Sequence, residues 1–105
     1  MVQIHSPRPF NPMSDELRRS IQQTAKVLRQ FGAREVYTFG SAAEGALRPA
    51  SDIDIAVSGI PPRLFFRAMS EAGDTLSRPL DLIDLDEDTP FTRYLREKGG
   101  LALVE

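Results

Sequence analysis

Two aspartates separated by one residue, Asp52 and Asp54, lie in the run Ser51-Asp52-Ile53-Asp54-Ile55, which begins ten residues after Ser41 of a Gly40-Ser41 pair. On an extended strand, residues i and i+2 point to the same face, roughly 6.6 Å apart along the chain. The spacing predicts two carboxylates side by side, with Ile53 and Ile55 turned the other way into a core. Two carboxylates that close repel unless a cation lies between them. A hard divalent cation with oxygen ligands suits the pair, and Mg²⁺ shared with substrate phosphates is the usual case. Gly40 allows a sharp turn and lets a ligand approach without a Cβ in the way. The amides of the short helix-like run Ala42, Ala43 and Glu44 are suited to donate to phosphate oxygens, and the Ser41 hydroxyl to add one more hydrogen bond. Paired carboxylates facing a phosphate cradle are the ingredients of nucleotidyl transfer.

A sheet is needed to hold these groups. Glu35–Phe39 reads as a first strand that delivers the chain to Gly40, and Asp52–Ser58 as a second. Ahead of them, Ser14 has the type of an N-cap, with Asp15 and Glu16 suited to the positive end of a helix dipole. Leu17, Ile21, Ala25, Leu28 and Phe31 then recur at helical spacing up to Gly32. Pro61-Pro62 suit the first turn of a second helix, whose Leu64, Phe65, Ala68, Met69 and Ala72 share a face. Leu80–Leu85 reads as a third strand, and its apolar positions predict a central place in the sheet. Asp81 and Asp84 are three apart, so they face opposite sides, and only one can join Asp52 and Asp54. Asp86, Glu87 and Asp88 read as a solvated acidic turn. Thr89 or Asp88 caps a third helix from Pro90, carrying Phe91, Tyr94 and Leu95. Leu101–Val104 reads as a short edge strand. The order α-β-β-α-β-α-β predicts a small α/β domain, a mixed four-stranded sheet with helices mainly on one face. Residues 1–13, with Pro7, Pro9 and Pro12, read as an extended N-terminal arm before a domain over residues 14–105.

The composition narrows the function classes. A chain of 105 residues has room for one domain. The absence of cysteine excludes disulfides and thiolate metal sites and fits a reducing compartment. A net charge of −2 argues against strong nucleic-acid binding, which favours a basic surface. With no apolar run near membrane-spanning length and no signal-peptide pattern, the expectation is a cytoplasmic protein without membrane contact.

The pattern Gly40-Ser41, then Gly45, then Ser51-Asp52-Ile53-Asp54 resembles the minimal nucleotidyltransferase domain of the DNA polymerase β superfamily. The resemblance extends over about Ser14 to Glu105. It implies a third carboxylate on a later strand, and in Leu80-Asp81-Leu82-Ile83-Asp84-Leu85 it selects Asp81. It implies that Asp52, Asp54 and Asp81 hold two Mg²⁺ ions and catalyse transfer from ATP, with Gly40, Ser41, Gly45, Arg48 and Ser51 binding the nucleotide. Members often carry an arginine before the second glycine. Here Glu44 stands there, so neutralising the phosphates falls to Arg48 or another base.

The minimal members are commonly paired with a small helical partner, the higher eukaryotes and prokaryotes nucleotide-binding (HEPN) domain. The resemblance thus implies an antitoxin that transfers AMP to a tyrosine of a HEPN RNase toxin. Two other readings stand beside it. One is transfer to a small molecule such as an aminoglycoside; the other is a non-catalytic antitoxin that acts by binding alone.

Overall fold

Along 53–58, Ile53, Ile55 and Val57 are fully buried and alternate with Asp54, Ala56 and Ser58. One face of this strand is core, and on the other Ala56 and Ser58 are buried too, leaving only Asp54 partly open at the start of the strand. The computed structural model describes residues 8–9, 14–40, 52–98 and 100–104. In chain order the elements are β1 (Arg8–Pro9), α1 (Asp15–Gln30), β2 (Glu35–Thr38), β3 (Ile53–Ser58), α2 (Pro62–Gly73), β4 (Leu80–Asp84), α3 (Pro90–Lys98) and β5 (Ala102–Leu103). The sheet order is β1-β5-β2-β3-β4. β2 runs antiparallel to both β3 and β5, whereas β4 runs parallel to β3 and β1 parallel to β5. The four expected strands form the mixed sheet, and the two-residue β1 adds to its edge.

The helices follow from their local signals. The Ser14 side chain accepts from the Leu17 amide at 3.1 Å and caps α1, whose first turn carries Asp15 and Glu16. Pro62 opens α2, where its missing N–H costs nothing. Thr89 caps α3 by accepting from the Thr92 amide at 3.1 Å. Ile21, Ala25 and Leu28 of α1 and Ala68 and Ala72 of α2 pack on the sheet face that holds Ile53, Ile55 and Val57. Leu95 of α3 packs on the opposite face against Tyr37, Phe39, Ala56 and Leu85. Two of the three helices therefore share one face. No helix among the described residues is long and apolar enough to cross a membrane.

Three details depart from the sequence reading. β4 lies at the sheet edge, not at its centre. Its apolar residues are satisfied by β3 and α2, and Leu82 alone in the strand is buried. β5 is not the edge, because β1 pairs outside it. Asp86 is more than a solvated acid, since its carboxylate accepts from Ser58 Oγ at 2.6 Å and from the Gly59 amide at 2.8 Å. Gly59 must have no side chain there: its φ is +107°, and a Cβ would meet the Gly32 carbonyl at 2.7 Å.

The hydrogen bonds to Ser58 and Gly59 hold the Asp86 carboxyl below its ordinary pKa, with help from the charges of Arg34 and Arg96. A depressed carboxylate stabilises the fold above its unfolded pKa and ceases to do so as the pH falls through the folded one. Asp86→Asn is expected to cost about 1 kcal/mol in urea unfolding at neutral pH, a modest value because the group is exposed. The difference from the parent should be constant above about pH 5 and fade once the pH drops below about 4.

Candidate active site

Asp54 is the inner member of the candidate site. It projects from the second residue of β3 on the face opposite Ile53 and Ile55, and it is half-buried. Parallel pairing aligns Asp54 with Asp81 and Val57 with Asp84. Asp81 therefore stands on the face of Asp54, and the two carboxyls are close enough to hydrogen-bond. Asp84 projects from the other face, where one carboxylate oxygen accepts from the Asp86 amide at 2.9 Å. Asp52 is exposed and immediately precedes β3. The Ile53 amide donates to the Pro79 carbonyl at 2.9 Å, which ties the start of β3 to the start of β4.

Electrostatically, Asp54 is where the cost concentrates. Its pKa is raised, first by burial, then by the charge of Asp81 and the hydrogen bond with it, and then by the charge of Asp52. Asp81 and Asp52 thus both act on Asp54, although no three acidic, histidine or cysteine side chains among the described residues already converge as a finished metal cage. The donors are all carboxylate oxygens, and two of them crowd together at a cost that a cation would remove. That donor set fits Mg²⁺, which takes one or two carboxylates and completes its shell with water and phosphate. Asp54 and Asp81 would hold it, with Asp52 beside them.

Gly40 flanks the pair. The Phe39 amide donates to the Asp54 carbonyl at 3.1 Å, so the chain reaches Gly40 directly beside Asp54. Gly40 has φ of +63°, and a Cβ on it would lie 2.7 Å from Asp54 Oδ2. The sequence reading assigned this glycine to phosphate approach. The structure gives it a second reason, room for the aspartate itself. Sequence reasoning also missed the neighbouring aromatic contact. Phe39 meets Phe91 edge to face, with ring centroids 5.8 Å apart, and Phe91 is left 46 % exposed. Phe91 lies 52 residues further along the chain, and no local pattern announces such a contact. Ser41, Gly45, Arg48 and Ser51 lie outside the described residues, as does the helix-like run 42–44.

The family model for polymerase beta nucleotidyltransferase matches residues 20–104 of this chain. A search of curated proteins gave no match. Among solved structures, a toxin–antitoxin crystallised with AMP-PNP resembles this chain with a TM-score of 0.65 and 22 % sequence identity, over 84 % of this chain and 72 % of that one. At that identity the likeness is one of fold.

Two expectations follow from the geometry. Gly40→Ala should destabilise the chain by about 1 kcal/mol through backbone strain, with an added cost from contact with Asp54. A double-mutant cycle with Asp54→Ala separates the two, because only the contact disappears when the carboxylate is gone. The raised pKa of Asp54 has the opposite sign from that of Asp86. Its contribution is intact below the ordinary carboxylate pKa and is lost as the pH rises through the folded value. In the presence of chelator, Asp54→Asn should therefore resist urea better than the parent at neutral pH, and this gain should vanish below about pH 4.

Proposed function

The chain belongs to the polymerase beta nucleotidyltransferase family, and from that premise we propose that it is a Mg²⁺-dependent enzyme that moves AMP from ATP to a tyrosine of a HEPN-type RNase toxin, acting as the toxin's antitoxin. The observation that carries the reading is the Asp54–Asp81 carboxyl pair set against the Gly40 turn. The likeness to a toxin–antitoxin crystallised with AMP-PNP supports both the nucleotide and the class of partner.

In this reading the Gly40–Ser51 stretch takes the triphosphate, with Gly40, Ser41, Gly45, Arg48 and Ser51 as its contacts. Asp52, Asp54 and Asp81 would hold the cations, which when bound would neutralise the triphosphate and lower the pKa of the attacking hydroxyl. Asp81 is exposed, so it is the carboxylate an acceptor hydroxyl can reach to hand over its proton. The hydroxyl oxygen forms a bond to the α-phosphorus as the bond from that phosphorus to the bridging oxygen breaks, and pyrophosphate leaves. Asp54, half-buried on β3 with Gly40 beside it, is the carboxylate whose orientation the sheet fixes through the displacement.

The test uses ATP labelled at the α-phosphate, Mg²⁺ and a HEPN-type RNase toxin as the acceptor protein. Label is expected on a tyrosine of that protein. Asp54→Asn and Asp81→Asn should each lower transfer by on the order of 100-fold, the scale for losing a group that stabilises the transition state. Asp84→Asn should retain most of it. Calorimetry with Mg²⁺ and ATP should show weakened binding to Asp54→Asn. Toxin neutralisation that survives both Asn variants would replace the proposal with a binding-only antitoxin. Label appearing on an aminoglycoside without any partner protein would redirect it to small-molecule transfer.

A further inference from the structure

On the sheet face opposite the Asp54–Asp81 pair, the first turns of α2 and the loop between β4 and α3 enclose a cleft of about 350 Å³ lined by Pro62, Phe65, Phe66, Asp84, Asp86 and Glu87. Its apolar wall is aromatic. Phe65 and Phe66 meet edge to face at 84°, with centroids 6.0 Å apart, and Phe66 is 76 % exposed, more than any other large apolar side chain described. Its rim is acidic. Both oxygens of Asp86 are already engaged by Ser58 and Gly59, and the charges of Arg34 and Arg96 act on that same group. One oxygen of Asp84 accepts from the Asp86 amide at 2.9 Å. Neither Asp84 nor Glu87 forms an ion pair with another described residue, unlike Glu71 with Arg67 and Asp88 with Arg93.

We propose that this cleft docks an arginine side chain presented by a protein partner. A guanidinium is planar and weakly hydrated, and it can stack on an aromatic ring while its edge hydrogen-bonds a carboxylate. A purely apolar group would cover the rings but strip water from two carboxylates that lack a cation without replacing it. An ammonium would satisfy the rim but is a strongly hydrated point charge with no flat face for Phe66. The charge and the shape of the cleft therefore select the same group. The position adds a consequence. Asp84 lies three residues further along β4 than Asp81, roughly 10 Å, and on the other face. A partner anchored here leaves the Asp54 face open, so docking and chemistry at the other end of the strands do not compete for one surface.

The test is an amide NMR titration of the full, isotope-labelled chain with a blocked Leu-Arg-Leu tripeptide at millimolar concentration. Two controls replace the arginine with citrulline, which keeps the shape and loses the charge, and with lysine. Saturable shifts are expected at Phe65, Phe66, Asp84 and Glu87, with both controls weaker. Phe66→Ser and Glu87→Gln should each weaken the arginine peptide by about two- to fivefold, the scale of a single exposed cation–π or ion-pair contact. Both side chains are exposed, so both variants should melt with the parent, and Glu87→Gln carries the test alone if Phe66→Ser does not fold. No saturable shift at the cleft, equal binding of the citrulline peptide, or undiminished binding to the variants would overturn the proposal. Concentration-dependent shifts at the cleft without peptide, abolished by Phe66→Ser, would assign the surface to a second copy of the chain and overturn it as well.

Discussion

The structure is built around an unfavourable contact. Parallel pairing sets Asp54 beside Asp81 on neighbouring strands, and one of the two is half-buried. Strands are spaced about 4.8 Å apart. Two full charges at such a distance oppose each other by on the order of 3 kcal/mol at an effective dielectric constant near 20. The opposite face of the same strand supplies the restraint. Ile53, Ile55 and Val57 are fully buried there, and each such side chain contributes about 1.5–3 kcal/mol, an upper range because the unfolded chain already buries some of that surface. The apolar face exceeds the repulsion on the polar face, so the carboxylates are held together without a cation and are ready for one.

That balance explains the unequal placing of the helices. α1 and α2 cover the face that must hold β3 in place. α3 covers the other face through Leu95, against Ala56 and Leu85, and its first turn leaves Phe91 half open beside Phe39. A helix laid over Asp54 as well would exclude the water and substrate that the pair needs. The parallel pairing of β3 with β4 belongs to the same arrangement. Parallel neighbours require a crossover, and α2 supplies it on the core face, away from the carboxylates.

Much of this was legible in the chain because it is written in short-range terms. The alternation of Ile53, Ile55 and Val57 with Asp54, the Ser14 cap and the proline at the start of α2 are patterns of period two, or of three to four residues, or of a single position. The features that were missed depend on partners far away in sequence. The apolar content of β4 suggested a central strand, yet its place at the edge depends on which strand lies beyond it, and no local property of Leu80 or Leu82 reports that. Asp86 looked like one acid in a run of three because Ser58, its partner, lies 28 residues earlier. Gly40 was legible as a glycine that something must approach, but the near neighbour in the fold is Asp54 Oδ2, part of the chain itself. Asp81 and Asp84 stood undecided on spacing alone, since a strand fixes only that they face opposite ways.

What separates them is register, and register is held at both ends of the β3–β4 pair. At the start, the Ile53 amide bonds to Pro79; at the finish, the Leu85 amide bonds to Val57 at 2.8 Å, and Asp86 grips Ser58 and Gly59. A slip of one residue in β4 would turn its side chains over and bring Leu80 or Leu82 to the place of Asp81. The repulsion between Asp54 and Asp81 favours such a slip, because it would relieve the crowded carboxylates. Resistance has to come from contacts that do not share that repulsion, and the Asp86 clamp is one of them: it lies at the far end of the strand and its carboxylate faces donors, not acids. Position 59 completes it, since a Cβ there would press on the Gly32 carbonyl and push the Gly59 amide away from Asp86. The acidic turn after β4 thus does for Asp81 what the core does for Asp54, holding a carboxylate at the one position where its neighbour's charge opposes it.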